Sequence, residues 1–510
     1  MDWQAIPFDS ASELPLYRQL SQHITGFISR GEISVGDQLP PTRELAGLIG
    51  LNRATISAAY SLLEQQGLIQ GHVGRGSFVA AQFPAATAAA SASAPYRWEA
   101  DGRETNGDAP LDWEAILPRS EMKAGPPLFP IEISFASSRP ARAAFPLATF
   151  RRLAREVIEG PQAADILQLG SPHGYGPLRR YLLEEARSAG LAQPGDDLLV
   201  TNGCQQALDL LARVLTGPGT TAIVEDPTYH GLWQVFARAG AELALATVTP
   251  QGVDSGALAS LVERHRPRVM VLTPNFQNPT GATLPLEARQ EIVRIARRRH
   301  VVTLEIDIYS DLRYVGTPLP RLKELDQSGN VVLLGSYSKV SFPGLRVGWV
   351  MGPRPLIARL AEYKQMCDLH SDQLSQAVLL RFAESGELAK HVSRTRAQGA
   401  ERLEAALGAC REYMPEGTRF TRPEGGMSLW VELPAALGAQ DLLNQSQEHG
   451  VDFLPGKYFS PQHGHAHALR LSFGGLSPEQ IQRGIRVIGR VARQQILEEI
   501  QASDPQAALV

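Results

Sequence analysis

The sequence lacks the features of a secreted or membrane-embedded protein. Its 510 residues include only three cysteines, Cys204, Cys367 and Cys410, which lie too far apart to form a CxxC pair. Such sparse cysteine is typical of a reducing compartment. No apolar run approaches the ~18 residues that a membrane-spanning helix needs, and the first residues, MDWQAIPFDS, show no charged segment followed by an apolar one. We therefore expect a cytoplasmic protein without a membrane segment.

The sequence also lacks a dominant charge, an internal repeat and a heptad array. The 49 basic and 53 acidic residues give a net charge of -4, so bulk charge predicts no particular partner. Hydrophobic residues make up 43% and charged residues 20%, which is ordinary for globular protein and excludes a disordered chain or a disulfide scaffold. At roughly 150 residues per domain, the length predicts about three domains.

Residues 1–80 are predicted to form a winged helix-turn-helix domain. Three helical patterns, PLYRQLSQHITGFISRG, PTRELAGLIG and NRATISAAYSLLEQQGL, precede IQGHVGRGSFVA, which is typical of a hairpin with a glycine-rich tip. The third pattern begins with Asn52, Arg53, Thr55 and Ser57, and in this arrangement the start of that helix reaches base edges in a major groove. Arg75, between two glycines of the tip, would reach a minor groove or a phosphate.

The string from QLPPTRELAG to GRGSFV resembles the GntR-type winged helix. This resemblance implies that Arg43, Arg53 and Thr55 contact double-stranded operator DNA. An alternative remains open, because residues 1–80 hold five arginines, no lysine and seven acids, a net charge of -2, whereas DNA-binding domains are usually basic. That alternative is a protein-interaction module. Since three of the five arginines fall in the recognition segment and the wing, the pattern favours DNA.

The composition changes abruptly after this domain. Residues 81–128 are rich in Ala, Ser, Pro and Gly, which predicts a flexible linker because such a stretch buries too little apolar surface to offset its ordering entropy. From residue 129 short apolar runs alternate with helical patterns, which indicates an α/β domain with a mainly parallel sheet. We assign 129–355 to a large domain, and 356–510 to a long helix with a small α+β domain.

Seven short motifs follow in a fixed order. They are YGPLRRYL, TNGCQQAL, EDPTYHG, TPNFQNPTG, LEIDIYSDLRY, GSYSKVSFPGLRVGW and ALRLSF. Each alone has an ordinary interpretation, such as a tight turn, a packing aromatic, a solvated strand-end acid or a surface lysine. A strand that turns through glycine into a helix can also hold an anion. A lysine beside other cationic groups can have a lowered pKa and form a Schiff base.

The joint order of the motifs resembles fold-type I pyridoxal-phosphate enzymes of the aspartate aminotransferase class, across about residues 130–500. That class has a mainly parallel, seven-stranded sheet in its large domain. The resemblance implies that Lys339 is the Schiff-base lysine and that Asp307 pairs with the pyridinium nitrogen. It implies that Tyr309 and Asn278 hydrogen-bond the ring oxygen O3′ and that Tyr229 stacks on the ring. Pyridoxal 5′-phosphate needs each of these functions from the protein.

The same resemblance implies the remaining sites. Arg470 would bind the α-carboxylate of an amino-acid ligand, and Tyr175 would reach the site of the partner subunit in a homodimer. Cys204 stands where a small hydroxyl residue is frequent, which puts a side-chain bond to phosphate in doubt but leaves the backbone contacts. The phosphate cup would consist of Gly203, Cys204, Gln205, Ser336 and Arg346, with Ser338 close by.

The whole chain resembles the MocR-type bacterial transcription regulators, in which a winged helix is fused to an aminotransferase-like domain. This implies a dimer that binds operator DNA and senses pyridoxal phosphate, or a small amine or amino acid, through a Schiff base on Lys339. The alternative is a working aminotransferase with an appended DNA-binding domain, and the motifs leave this choice open. We expect no metal: His463, His465 and His467 would share a face in a strand, but a solvated loop is the simpler interpretation.

Overall fold

The computed structural model describes Trp3, residues 15–29, 33, 36–65, 68–72, 76–80 and 129–503. The predicted linker and Arg75 at the predicted wing tip lie outside the described residues. The described residues belong to two compact units, one within 1–94 and the other within 95–510.

The N-terminal unit is a winged helix-turn-helix, as predicted. Its elements are α1 (Leu16–Ser29), α2 (Thr42–Ile49), α3 (Arg53–Gln65) and an antiparallel hairpin of β1 (Ile69–His72) and β2 (Gly76–Val79). Residues at helical spacing on α1, including Leu20 and Ile24, are fully buried against the other helices. Gly50 ends α2 at φ 72°, a left-handed conformation that glycine adopts without strain, and this turn sets α3 across α2.

The large unit is built on an eight-stranded mixed sheet. The spatial order is β4-β11-β10-β9-β8-β5-β6-β7, with β11 and β7 antiparallel to their neighbours and the other strands parallel. Seven strands correspond to the predicted sheet; the eighth is a two-residue edge strand. The bounds are β4 Asp196–Thr201, β5 Thr221–Asp226, β6 Glu242–Thr249, β7 Gly252–Val253, β8 Val269–Leu272, β9 Val302–Asp307, β10 Val331–Ser336 and β11 Gly348–Pro353.

Helices cover both faces of this sheet, because its strands are apolar on both sides. Buried residues of β8, such as Val271 and Met270, contribute to separate apolar clusters on opposite faces. The helices between the strands are α4 Leu147–Glu159, α5 Ala163–Leu167, α6 Gly176–Ser188, α7 Cys204–Leu215, α8 His230–Arg238, α9 Ser255–His265, α10 Leu286–Arg299 and the short α11 Leu322–Leu325.

The long helical stretch expected from residue 356 to about Gly408 divides into three helices. They are α12 (Arg354–Asp368), α13 (Gln373–Glu384) and α14 (Glu387–Tyr413). Asp372 starts α13 because its side chain accepts hydrogen bonds from the backbone N–H groups of Leu374 and Ser375. Gly386, at φ 73°, separates α13 from α14. The capping residue Asp372 and Gly386 divide the stretch into separate helices, and the helical spacing of apolar residues does not show these boundaries.

The C-terminal part forms a second, smaller layer. An antiparallel sheet of order β12-β13-β16-β15 packs with α14 and α16 around one apolar cluster, as the predicted α+β pattern requires. Nearby, β14 pairs in parallel with β3, a strand from the beginning of this unit. The bounds are β3 Ile133–Ser134, β12 Arg419–Phe420, β13 Ser428–Glu432, α15 Ala439–Glu448, β14 Val451–Asp452, β15 Leu454–Pro455, β16 Ala468–Ser472 and α16 Pro478–Ser503.

Candidate functional site: a cavity at the strand ends

The carboxyl ends of the parallel strands open into a cavity of about 330 Å³. This is where ligands bind in open α/β sheets. Strands β5, β9 and β10 deliver their following loops to it, and β16 of the smaller sheet closes one side. Most of the predicted cofactor residues line it: Cys204, Gln205, Tyr229, Asn278, Tyr309, Ser336, Ser338, Lys339, Arg346 and Arg470.

Lys339 ends the short 3-10 turn that follows β10. Its Nζ donates a hydrogen bond to the carbonyl oxygen of Ser138, at 2.6 Å, and lies 5.6 Å from the centroid of the Tyr309 ring. In the part of the chain that the structure describes, no acid forms an ion pair with it. The amine is therefore not tied to a carboxylate, which suits a nucleophile.

One end of the cavity is an anion cradle at the start of α7. Gly203 precedes the helix at φ 80°, and a side chain there would collide with the Arg346 guanidinium. The first backbone N–H groups of a helix have no partner within it and favour anions. Arg346 Nη2 donates to the carbonyl of Asn202 at 3.2 Å, which holds the guanidinium beside this turn.

Two serines and a neutral thiol extend this cradle. The Ser336 and Ser338 hydroxyls are 2.9 Å apart, so both lie beside the turn that carries Lys339. Burial raises the pKa of the Cys204 thiol to about 12, although Lys339 and Arg346 oppose this shift. Cys204 is thus a neutral side chain near pH 7, and the anion-binding capacity rests on the backbone, the hydroxyls and Arg346.

The cavity also holds a buried arginine. Arg470, in the middle of β16, is 3% exposed. Its Nη1 donates to Asn278 Oδ1 at 3.1 Å and its Nη2 to the Ala136 carbonyl, whereas Nε has no hydrogen-bond partner. Its guanidinium carbon lies 5.1 Å from the Phe459 ring centroid. Burial lowers the pKa of Arg470 to about 10.

No acidic side chain of the described residues neutralises Arg470. A buried cation without a counter-ion is costly. An incoming carboxylate would supply the missing charge and could engage the guanidinium through two hydrogen bonds.

Tyr229 is a further lining residue of the cavity. It follows β5 directly and is 37% exposed, with its ring centroid 4.6 Å from that of His230. Burial raises the pKa of the Tyr229 phenol and lowers that of the His230 imidazole. Both groups are therefore uncharged at neutral pH. The sequence motifs did not predict His230 as a cavity residue, and only its position next to Tyr229 could have indicated it.

Three predicted residues, Gly203, Asp307 and Tyr175, are not among the residues that line the cavity; Gly203 directly precedes Cys204, which does line it. Asp307 ends β9, but its carboxylate accepts hydrogen bonds from Ser310 Oγ and Arg321 Nε, and the neighbouring residues line the cavity in its place. Tyr175 immediately precedes α6, and its backbone N–H donates to Gln376 Oε1 at 2.8 Å. The sequence motifs gave no indication of Arg321 or of the Ser138 carbonyl.

The predicted DNA contacts that the structure describes lie at the start of α2, which carries Arg43, and around the first turn of α3. Arg43, Asn52, Arg53 and Ser57 are exposed there, and Thr55 is half-buried. The Asn52 side chain caps α3, since its Oδ1 accepts hydrogen bonds from the backbone N–H of Thr55 at 2.7 Å and from Thr55 Oγ1 at 2.9 Å. Asn52 and Thr55 thus also have a structural role, which their spacing in the sequence could have revealed.

The histidine-rich loop is a turn, not a strand. His463 and His465 have left-handed backbones, at φ 54° and 62°, and β16 begins only at Ala468. His467 lies 2.8 Å from the Leu437 carbonyl through Nδ1. The three side chains therefore do not share one strand face. Among the described residues, no group of three possible ligands could hold a metal ion.

Comparison with known proteins assigns both parts of the chain. The profile of the family "Aminotransferase class I and II" matches residues 141–488, and that of "Bacterial regulatory proteins, gntR family" matches residues 16–79. The HTH-type transcriptional regulator YdfD of Bacillus subtilis is 30% identical over 94% of this chain and 97% of its own length. The probable rhizopine catabolism regulatory protein MocR of Rhizobium meliloti is 29% identical over 94% of each chain.

The chain belongs to the MocR-type regulators of the GntR family. Its large unit is an aminotransferase domain: the structure of LysN, an α-aminoadipate aminotransferase of Thermus thermophilus, matches with a TM-score of 0.68 and 34% identity, over 72% of this chain and 93% of that one. That structure carries N-(5′-phosphopyridoxyl)-L-leucine. The family is dependent on pyridoxal phosphate, and the winged helix makes this regulator a DNA-binding protein. None of the helices that the structure describes is long and apolar enough to cross a membrane.

Proposed function

We propose that this regulator binds pyridoxal 5′-phosphate covalently through Lys339 and that its affinity for operator DNA responds to the cofactor or to an amino compound that displaces Lys339. One observation carries the proposal. Lys339 and Arg470 line the same cavity, and neither is paired with an acid among the described residues. An amine and a buried guanidinium in one cavity match the aldehyde of the cofactor and the carboxylate of an amino acid.

The residues present fit the cofactor. Its phosphate would lie on the first turn of α7, with the Ser336 and Ser338 hydroxyls and Arg346 around it. Tyr229 would face the ring, and Asn278 and Tyr309 would contact its hydroxyl. When bound, pyridoxal phosphate supplies a carbon that condenses with primary amines and a conjugated ring that withdraws electrons from it.

The residues of this chain can support exchange between Lys339 and a free amine. A free amine that took the place of Lys339 on the cofactor would lose a proton, and Lys339 Nζ would be the group that takes one up on its release. The Ser138 carbonyl accepts a hydrogen bond from the Lys339 amine, so its position is defined after release. Arg470 orients a ligand carboxylate. The exchange needs no oxidant, and it moves Lys339 without completing a catalytic cycle.

The effector would therefore be an amine or amino acid, with any carboxylate held by Arg470. A ligand shifts the protein between DNA-binding states only by its differential affinity for them. Release of Lys339 combined with neutralisation of Arg470 supplies such a difference, because both groups change partners together. Pyridoxal phosphate alone as the effector is the competing proposal.

Borohydride reduction tests the covalent site. The wild-type protein is expected to retain one equivalent of reduced cofactor per chain after denaturation, and Lys339→Ala none, because the amine that forms the bond is gone. If Lys339→Ala fixes cofactor at the wild-type stoichiometry, another lysine is responsible and the assignment of Lys339 is wrong. Lys457→Ala, near the cavity but outside its lining, is the matched control and should behave as wild type.

A homodimer is part of the proposal. Large apolar side chains are exposed on neighbouring segments of the large unit, with Leu169 72% and Met366 76% exposed. Gln373 Nε2 donates to the Gln168 carbonyl at 2.9 Å, which places Leu169 beside the start of α13, seven residues after Met366. Burial by a second copy would remove this surface from water. Sedimentation is expected to give a dimer for wild type and a weaker one for Met366→Glu; a wild-type monomer at all concentrations would contradict it.

A working aminotransferase with an appended DNA-binding domain is the second candidate. Its support is the set of predicted residues that do line the cavity, Lys339 and Arg470 among them, together with the aminotransferase relative. Repeated, amino-acid-dependent release of pyridoxamine phosphate would favour it, whereas exchange without turnover favours the regulator.

Because a DNA-reading protein acts where the DNA is, a cytoplasmic location is also proposed.

A further inference from the structure

Six exposed arginines of the large unit lie where α9 and α10 end. Helix α9 ends at His265 and the chain enters β8 at Val269, while α10 ends at Arg299 and the chain enters β9 at Val302. The arginines lie in the last turns of the helices and in the connection that leads to β8. We call this surface the arginine edge; its members are Arg264, Arg266, Arg268, Arg297, Arg298 and Arg299.

The sheet brings the two helix ends side by side. Strands β8 and β9 are parallel neighbours with Val269 opposite Val302, and the Val302 N–H donates to the Arg268 carbonyl at 3.3 Å. The Arg299 guanidinium also pairs with Glu263 of α9. The arginine edge therefore lies at the amino ends of these strands, whereas the candidate cofactor cavity lies at the carboxyl ends. A ligand can fill that cavity without covering the edge.

The arginine edge concentrates positive charge in a chain that is acidic overall. Residues 263–268 and 297–300 hold six arginines and one acid, a net charge of +5 with neutral histidines, whereas the whole chain carries -4. Among the described residues, Glu263 is the only acid that forms an ion pair with any of the six arginines, and its partner is Arg299. The other five have no counter-ion there, so the surface attracts a polyanion.

The backbone at both helix ends takes a conformation that favours glycine. Arg266 follows α9 at φ 45° and His300 follows α10 at φ 52°, and the N–H of each donates to a carbonyl of the last helical turn. Glycine is the usual residue at such a left-handed helix end, because a side chain there is strained. This chain carries a basic side chain at both. Attraction between these cations and the partial negative charge of the helix end is the structural alternative to a ligand.

We propose that the arginine edge binds the phosphate backbone of the double-stranded DNA that flanks the operator. DNA is the polyanion that the winged helix of this chain already binds, and DNA held there raises the local concentration of phosphate at a second site on the same chain. A guanidinium donates two parallel hydrogen bonds to a phosphate, so five arginines without a counter-ion suit a row of phosphates. Such contacts position the protein on DNA and read no sequence.

The dependence of binding on DNA length and on salt tests the proposal. The full-length protein is titrated with a short duplex that carries the operator alone and with a longer duplex that adds flanks of unrelated sequence. The wild type is expected to bind the longer duplex more tightly, with a steeper slope of log K against log salt. With Arg264→Gln, Arg297→Gln and Arg298→Gln combined, that slope should fall in magnitude by up to about 2.7, since each phosphate contact contributes about 0.9. The slope on the short duplex should not change.

A matched control removes the same charge outside the arginine edge. Arg394→Gln, Arg422→Gln and Arg490→Gln combined neutralise three exposed arginines of the C-terminal part. This variant should behave as the wild type on both duplexes, because the proposal assigns the phosphate contacts to the arginine edge. A fall in slope as large as that of the first variant would trace the effect to net charge and overturn the proposal.

Arg266→Gly separates DNA binding from a role at the helix end. Glycine adopts the left-handed backbone without strain, so the variant should unfold at no lower temperature than the wild type. Its slope on the longer duplex should nevertheless fall in magnitude by about 0.9, because one phosphate contact is lost. Unchanged slopes in both Arg266→Gly and the triple variant would assign the arginines to the helix ends and overturn the proposal.

Equal affinities of the wild type for the two duplexes would also overturn the proposal. So would a loss of binding to vesicles containing phosphatidylserine in the triple variant without any effect on DNA, because the edge would then serve a lipid surface. Borohydride fixation at Lys339 involves no DNA, and Arg53→Ala is tested on the short duplex. Failure of the proposed function therefore remains distinguishable from failure of this inference.

Discussion

The molecule presents arginines to anions in two regions, under opposite conditions. In the winged helix, Arg43 at the start of α2 and Arg53 at the start of α3 are exposed to water. In the cavity of the aminotransferase domain, Arg470 is 3% exposed and has no acid partner among the described residues. When no ligand is bound, water solvates the arginines of the winged helix, whereas Arg470 in the cavity is desolvated.

This difference determines what each region can discriminate. Exposed arginines raise the affinity for DNA because their phosphate contacts release counterions, so binding depends on salt and is shared over many groups. Losing one such contact costs little binding free energy, because the arginine returns to water. A buried arginine leaves an unpaired charge whenever the ligand lacks the right group, so it rejects the wrong ligand strongly. Four substitutions test this contrast.

The largest effect is expected at Arg470. Arg470→Ala should weaken binding of an amino-acid effector by about 2–5 kcal/mol, the range for removing one partner of a buried charge pair. The decarboxylated amine, which has no carboxylate to lose, should bind almost as before. Titrations that follow the absorption of the bound cofactor measure both affinities.

Two controls sharpen this result. Arg470→Lys should not restore the affinity, because an ammonium does not match a carboxylate through two parallel hydrogen bonds. Arg402→Ala removes another partly buried arginine, whose Nε donates to the Leu476 carbonyl outside the cavity, and should leave the preference unchanged. Equal losses for the amino acid and for the amine would show that Arg470 has only a structural role.

A smaller effect is expected at Arg53. Arg53→Ala should remove about 1–3 kcal/mol of discrimination between the operator and unrelated DNA, the value of a good bidentate base contact. Nonspecific binding should change little. Fluorescence anisotropy on both DNAs measures the ratio, and equal operator affinities for wild type and Arg53→Ala would exclude the recognition-helix interpretation.

At Asn52 stability and DNA binding can be separated. Asn52→Ala removes the cap of α3 and should destabilise the winged helix by about 0.5–2 kcal/mol. Asn52→Asp keeps an acceptor for the Thr55 N–H, so it should preserve stability while its negative charge weakens DNA binding. Hydrogen exchange of the α3 amides in the full-length protein reports the first effect. Unchanged protection in Asn52→Ala would contradict the capping role.

The smallest effect is expected at Arg43. If Arg43 contacts only phosphate, Arg43→Ala should weaken specific and nonspecific binding alike, and the slope of log K against log salt should fall in magnitude by about 0.9. Binding measured at several salt concentrations gives the slope. A loss confined to the operator would instead assign a base contact to Arg43.

The sequence was sufficient to predict the elements that have a strong local pattern. The predicted alternation of short apolar runs with helical patterns is present, for example where the strand DDLLVT precedes the helix that starts at Cys204, because an apolar run followed by glycine leaves few alternatives. The division of the stretch after residue 356 was missed, since it depends on a cap at Asp372 and a glycine at 386 rather than on hydrophobic period. The edge strand Gly252–Val253 is too short to have a pattern.

The cavity was predictable only where a motif marks a residue. Lys339 and Arg470 were identified from their motifs, and the structure brings them to one cavity. The partner of Asp307 was not predictable, because Arg321 lies 14 residues away in a loop with no motif. The sequence also could not predict that none of the described residues places an acid beside Arg470, because no motif marks a contact that is missing.

The most direct test of the account measures the coupling between the two regions. DNA affinity of the cofactor-loaded protein is determined with and without an amino acid that changes the cofactor absorption, in wild type and in Arg470→Ala. The DNA affinity of the wild type is expected to change, and that of Arg470→Ala to change little or not at all at the same concentration. If no amine alters the absorption or the DNA affinity, while addition and removal of pyridoxal phosphate does, the protein senses the cofactor alone and the role proposed for Arg470 is wrong.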